Sequence, residues 1–126
     1  MNTVTDVAAH IKQIWSSSAF MNLLKIEIYE IHCGGAKGKM PIDFDIHTNH
    51  WLGVHGGALA ALADAVMGIT GASVGEVVQT LSFNINFIGV FWRISTAVTI
   101  SSTYTLWTLI CRICDSNIIY KSRRVR

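Results

Sequence analysis

The chain has 126 residues, enough for one domain with one core. Hydrophobic residues make up 51% and charged residues 14%, a greasy balance for a soluble monomer, and further copies of the chain are expected to cover apolar surface. A formal net charge of +2 is too small to argue for nucleic acid, and the basicity gathers in Lys121, Arg123, Arg124 and Arg126, which reads as a solvated tail.

Along the chain, Val4, Val7, Ala8, Ile11, Ile14 and Trp15 recur at helical spacing until Ser16, Ser17 and Ser18 interrupt them. This predicts a short amphipathic helix docked by its apolar face. From Leu24 to Ile28 apolar and charged residues alternate, Gly34 and Gly35 supply a turn, and a second extended segment runs through Asp45. The pair reads as a hairpin. Asp43, Asp45 and His47 would share one face of that second segment and carry metal-ligand donors. A solvated strand face, with Phe44 and Ile46 turned inward, is the preferred account, and no metal is expected.

A polar loop over 48–55 leads into 56–72, where Ala58, Leu59, Leu62, Ala65, Val66 and Ile69 belong to a run that is apolar around nearly the whole circumference. Such a helix is predicted to be buried. The period then switches to two: Leu81, Phe83, Ile85 and Phe87 face one way, Thr80, Ser82, Asn84 and Asn86 the other. That predicts a strand with one core face. Two or three further strands fit the remainder, roughly 94–103, 106–114 and 117–124.

The uncharged stretch 94–111 is tested as a membrane span and fails, because serines and threonines break it into a strand-like pattern. No secretory signal pattern is legible. Cys33, Cys111 and Cys114 suggest no disulfide framework, so a cytoplasmic location is expected. In a strand, Cys111 and Cys114 of the C-x-x-C point to opposite faces and are poorly placed to share one metal or disulfide. Antiparallel strands closing around one long central helix make an α+β arrangement.

Asp64 is the only ionisable side chain, histidine aside, between His55 and Glu76, midway along the helix expected to be buried on every face. A buried carboxylate must be paired, either structurally, by backbone N–H groups or an arginine, or as part of a site. Gly56 and Gly57 open the helix. Their N–H groups lack intrahelical partners at the positive end of the macrodipole, which suits a developing oxyanion, although a glycine pair also makes tight turns or close packing.

The run Asn49-His50-Trp51-Leu52-Gly53-Val54-His55-Gly56-Gly57, followed by Ala61-Leu62-Ala63-Asp64, resembles the signature of the phenylacetyl-CoA-type (PaaI-like) hotdog thioesterases. The segment from Thr80 to Phe87 resembles the strand after the central helix of that family, so the likeness covers about the middle third of the chain. It implies the hotdog fold, an antiparallel sheet wrapped around a long helix, and hydrolysis of an acyl-CoA thioester without a metal or redox cofactor.

Carried over by position, the resemblance gives Gly56 N–H the thioester carbonyl and Asp64 the role of base or nucleophile. Asn49 and His55 position substrate and water, and Thr80 assists. Gly57 is taken as a second contact to substrate, and Arg123 and Arg124 as charges for the CoA phosphates. Capping or packing at the helix entrance is the usual fate of a lone loop histidine such as His55, for which an orienting role is preferred to proton transfer, and Thr80 reads equally as a plain strand threonine on the polar face. Ile88-Gly89-Val90-Phe91 lacks the proline often found in that connection, and the last strands lack a recognisable CoA-contacting segment. Two other classes stay open: a hotdog dehydratase or hydratase using His55 with Asp64, and a non-catalytic acyl-CoA binding module.

Overall fold

The computed structural model describes residues 4–75, 79, 80, 83, 85–87, 97–105, 108–113 and 118–123. The amphipathic N-terminal segment forms α1, Val4–Ser16. Ser18 then accepts a hydrogen bond from Met21 N–H and caps a second, five-residue helix, α2, Ala19–Leu23, which the triple serine conceals as a mere break. The hairpin follows as β1, Glu27–His32, and β2, Gly35–Pro41, joined through Cys33 and a left-handed Gly34 (φ 80°).

The second segment stops short of the expected Asp45. Asp43 turns the chain by accepting a hydrogen bond from Asp45 N–H (3.0 Å) and caps a helical turn, α3, Phe44–His47. The expected alternation fails: Phe44 and Ile46 are exposed together with Asp45, and His47 is fully buried. Both ring nitrogens of His47 are engaged, Nδ1 accepting from Asp43 N–H (2.8 Å) and Nε2 donating to the Leu24 carbonyl (2.7 Å). It fixes a loop and is not part of a metal cluster; none occurs among the described residues.

The long helix α4 spans Gly56–Ser73. After it, β3 (Ala97–Thr105), β4 (Thr108–Ile113) and β5 (Ile118–Arg123) complete one antiparallel sheet in the order β1-β2-β3-β4-β5. The register runs from Gly35 opposite Thr103 to Pro41 opposite Ala97 between β2 and β3, and from Thr108 opposite Arg123 to Ile113 opposite Ile118 between β4 and β5. Lys121 and Arg123 therefore stand in the outermost strand and not in a free tail. Arg124 and Cys114 lie outside the described residues.

α4 lies mainly on β2 and β3. Ala36, Gly38 and Met40 are the buried alternate residues of β2, and Leu59, Leu62, Ala63, Val66 and Ile69 of α4 meet that side of the sheet in one apolar core with Ile28. Close approach depends on Gly38, where a β-carbon would stand 2.5 Å from Val66 Cγ2 and 3.0 Å from Ile28 Cδ1. Ser73 ties the far end of α4 to the hairpin turn, its Oγ accepting from Gly34 N–H (3.0 Å). By length and hydropathy alone α4 meets the measure of a membrane span, and here it is the core helix packed on a sheet.

Two expectations are corrected. α4 is not buried on every face: Gly57 is exposed, and Ala60, Ala61, Asp64 and Gly68 are half-buried along one stripe. The alternating segment after it forms no strand at its described residues, Gln79, Thr80, Phe83 and 85–87. Phe83 and Ile85 still pack on the core, as the period-two pattern requires. A pattern fixes which side chains turn inward, but a strand also needs a neighbour for its N–H and C=O groups.

Candidate active site

The loop before α4 is built to deliver that helix's first turn. Thr48 and Val54 form a bridge at its base, and His55 N–H donates to the His47 carbonyl (2.7 Å), so the buried His47 anchors both ends. Within the loop, Asn49 Oδ1 accepts from Trp51 N–H (2.9 Å) and Gly53 N–H (3.1 Å), while its backbone carbonyl accepts from Leu52 N–H (2.9 Å). Leu52 is thereby held at φ 62°, a left-handed conformation rare for leucine. Asn49 shapes the loop with its side-chain oxygen, and its amide nitrogen has no partner among the described residues.

His55 is the N-cap of α4. Its Nδ1 accepts from Gly57 N–H (2.9 Å), and its carbonyl accepts from Ala58 (3.0 Å) and Leu59 (3.3 Å). The capping alternative for His55 is thus the observed one, and a neutral ring so engaged carries its proton on Nε2. The cap also corrects the expectation that both glycines offer open donors. Gly57 N–H is occupied, and Gly56 N–H alone has no partner among the described residues.

Each glycine of the His-Gly-Gly run has its own steric reason. A β-carbon on Gly57 would stand 3.0 Å from His55 Nδ1, inside the cap. On Gly56 it would stand 3.1 Å from Cζ of Phe87. Phe87 is the site residue that sequence reasoning assigned only to a core face, and no periodic signal marks its approach to the start of α4.

Further along α4, Asp64 is half-buried and accepts a hydrogen bond on Oδ1 from the hydroxyl of Thr80. Its Oδ2 has no partner among the described residues. Thr80 is exposed and lies outside any strand, which removes the conflict between its alternation and its expected role.

The candidate residues therefore form two groups on one helix: Asn49, His55, Gly56 and Phe87 at its start, Asp64 and Thr80 near its middle. Gly56 and Asp64 are eight residues apart. At about 1.5 Å per residue their backbones stand roughly 12 Å apart.

No family model matches the sequence, and no curated protein does. Solved structures do match. The PaaI protein of E. coli, from the phenylacetic acid degradation operon, superposes with a TM-score of 0.76 at 18% identity, over 98% of this chain and 97% of that one. The chain has the hotdog fold. A Haemophilus influenzae thioesterase matches with a TM-score of 0.70 at 22% identity over 96% of this chain and 87% of its own. A conserved protein of Pseudomonas aeruginosa matches with a TM-score of 0.68 at 23% identity over 82% and 89%. The likeness to these hotdog proteins extends far beyond the middle third that carries the sequence resemblance.

Proposed function

We propose that this chain is a cytosolic acyl-CoA thioesterase, hydrolysing a thioester to free acid and CoA in an oligomer of hotdog domains. The observation that carries the reading is the pairing of a fixed carboxylate with an open helix donor. Among the described residues Asp64 is held on one oxygen by Thr80 and has no partner on the other, and Gly56 N–H is the donor without a partner at the start of the same helix. A fold whose named neighbours include thioesterases supports it.

As general base, Asp64 takes a proton from water while the water oxygen bonds to the thioester carbon. The carbonyl oxygen becomes an oxyanion held by Gly56 N–H at the positive end of α4. Collapse of that intermediate breaks the carbon–sulfur bond, and the departing thiolate takes the proton from Asp64. As nucleophile, Asp64 bonds to the thioester carbon and the carbon–sulfur bond breaks, expelling the CoA thiolate and leaving an acyl anhydride. Water then cleaves the anhydride to free acid and the Asp64 carboxylate, and its released proton goes to the thiolate. The two routes differ in the first bond made and use the same residues.

One thioester carbon cannot lie within about 3 Å of both groups when they sit roughly 12 Å apart on a single helix. A second copy of α4, antiparallel across a two-fold axis, brings Asp64 of one protomer to Gly56 of its partner and makes two equivalent sites. In this reading Arg123 and Arg124 meet the phosphates of CoA, and Asn49 and the Nε2 side of His55 orient substrate and water. The use of His55 Nδ1 as a helix cap weighs against a dehydratase in which His55 and Asp64 act as an acid–base pair.

A panel of aromatic and aliphatic acyl-CoAs with thiol detection tests the reading. Stoichiometric thiol and free acid are expected. An altered acyl chain with the thioester intact is the dehydratase or hydratase outcome, and binding without turnover is that of the binding module.

A further inference from the structure

We infer that Phe87 is a specificity-determining residue that contacts the acyl group of the substrate beside the reacting carbonyl; this rests on the thioesterase reading above. Three atoms of its ring, Cζ, Cε2 and Cε1, lie 3.1, 3.2 and 3.7 Å from the position a β-carbon would take on Gly56. The ring is nevertheless 48% exposed, so it is placed against the helix start and not sealed in the core. Phe83 and Ile85, four and two residues earlier, pack on the core, while Phe87 borders the one donor of the first turn that has no partner among the described residues.

The β-carbon position and the amide nitrogen of one residue are two bonds, about 2.5 Å, apart, so Phe87 Cζ lies within about 5.6 Å of Gly56 N. An oxygen accepting from that N–H sits about 2.9 Å from it. A carbonyl that approaches this N–H from the side of Phe87 brings the substituents of its carbon within van der Waals reach of the ring. One substituent is the sulfur of the polar pantetheine arm, the other the acyl carbon chain. An exposed aromatic face matches the hydrocarbon, and covering it removes apolar surface from water on both sides. The contact discriminates by how much of the ring an acyl group covers; the methyl of an acetyl group covers little of it.

The test compares thiol release from acetyl-, hexanoyl-, decanoyl- and aryl-acetyl-CoA by the wild type and by Phe87→Ala, Phe87→Leu and Phe87→Tyr. All four substrates share CoA, so kcat/KM relative to acetyl-CoA isolates the acyl contact. Phe87→Ala is expected to lower the ratio for the bulky esters by about tenfold or more, the scale of a lost apolar contact. Phe87→Leu should fall between, and Phe87→Tyr should stay near wild type. Unchanged ratios overturn the assignment, and so does an equal loss on all four esters. Should Phe87→Ala fail to fold, Phe87→Leu carries the comparison. If the wild type releases no thiol from any ester, the thioesterase reading fails on its own. The dissociation constants of non-hydrolysable acyl-CoA thioethers then decide on Phe87: a tenfold change in their ratio sustains it, and an unchanged ratio or no binding ends it.

Discussion

The hydroxyl of Thr80 donates a hydrogen bond to Oδ1 of Asp64, tying the middle of α4 to the segment that follows it sixteen residues on. This fixes one carboxylate oxygen and leaves the other without a partner among the described residues; in the proposed reaction that oxygen meets water or the thioester carbon. A hydrogen bond to a charged group contributes about 1.5–3 kcal/mol. Thr80→Val is therefore expected to lower kcat by about tenfold or more with little change in KM, and Thr80→Ser to restore most of it. Equal activity in Thr80→Val and wild type would separate the hydrogen bond from catalysis.

His55 is expected to stabilise the protein through its cap as well as to orient the site. Removing a capping side chain costs about 1 kcal/mol, so His55→Ala should unfold at lower denaturant by that amount. His55→Asn, a good cap, should keep the stability while losing the Nε2 side of the ring. Gly57→Ala puts a methyl 3.0 Å from His55 Nδ1 and should weaken the cap with His55 intact. Chemical denaturation of the three variants decides: full stability in His55→Ala is incompatible with the cap.

Gly38 sets the distance between α4 and the sheet. The β-carbon of Gly38→Ala would overlap Val66, a β-branched side chain held stiff in its helix. Overpacking of this kind costs about 1–3 kcal/mol. Val66→Ala in the same chain should recover part of the loss, a coupling measurable as a double-mutant cycle in denaturant. Strictly additive effects would mean that the two residues do not meet.

Much of this architecture was legible in the residues. The largely apolar run of 56–72 marks α4, whereas the alternation of Leu24 to Ile28 only leads into β1, which begins at Glu27 and runs on to His32. What the residue pattern does not reveal turns on single side chains that redirect the backbone. Ser18 restarts a helix after the serine break, and Asp43 caps a turn where alternation alone predicts more strand. At the site, the spacing of Asn49, His55, Gly56 and Asp64 carried the resemblance. Capping was one reading of His55 from the sequence, but nothing local says which N–H the cap takes, Gly57 N–H, or that it leaves Gly56 N–H without a partner among the described residues. Nor does a period of two say whether Phe87 follows Phe83 into the core or stands against Gly56, because that choice is made by tertiary contact.

If each site is shared between protomers, inactive chains should complement. Asp64→Asn chains mixed with Gly56→Val chains form heterodimers with one intact and one doubly damaged site. Random reassortment of equal amounts makes about half the dimers mixed, so about a quarter of wild-type activity should return. Co-refolded mixtures shown to contain heterodimers but lacking activity would contradict a shared site.

Asp64 is the residue on which the whole account depends, and Asp64→Asn keeps its size and its capacity to accept from Thr80 while removing the charge. The most direct measurement is thiol release from the best acyl-CoA substrate by folded wild-type and Asp64→Asn protein at equal concentration. A positioned base or nucleophile contributes on the order of a hundredfold or more, and kcat is expected to fall by at least that factor. Turnover in folded Asp64→Asn within a few-fold of wild type would contradict the account.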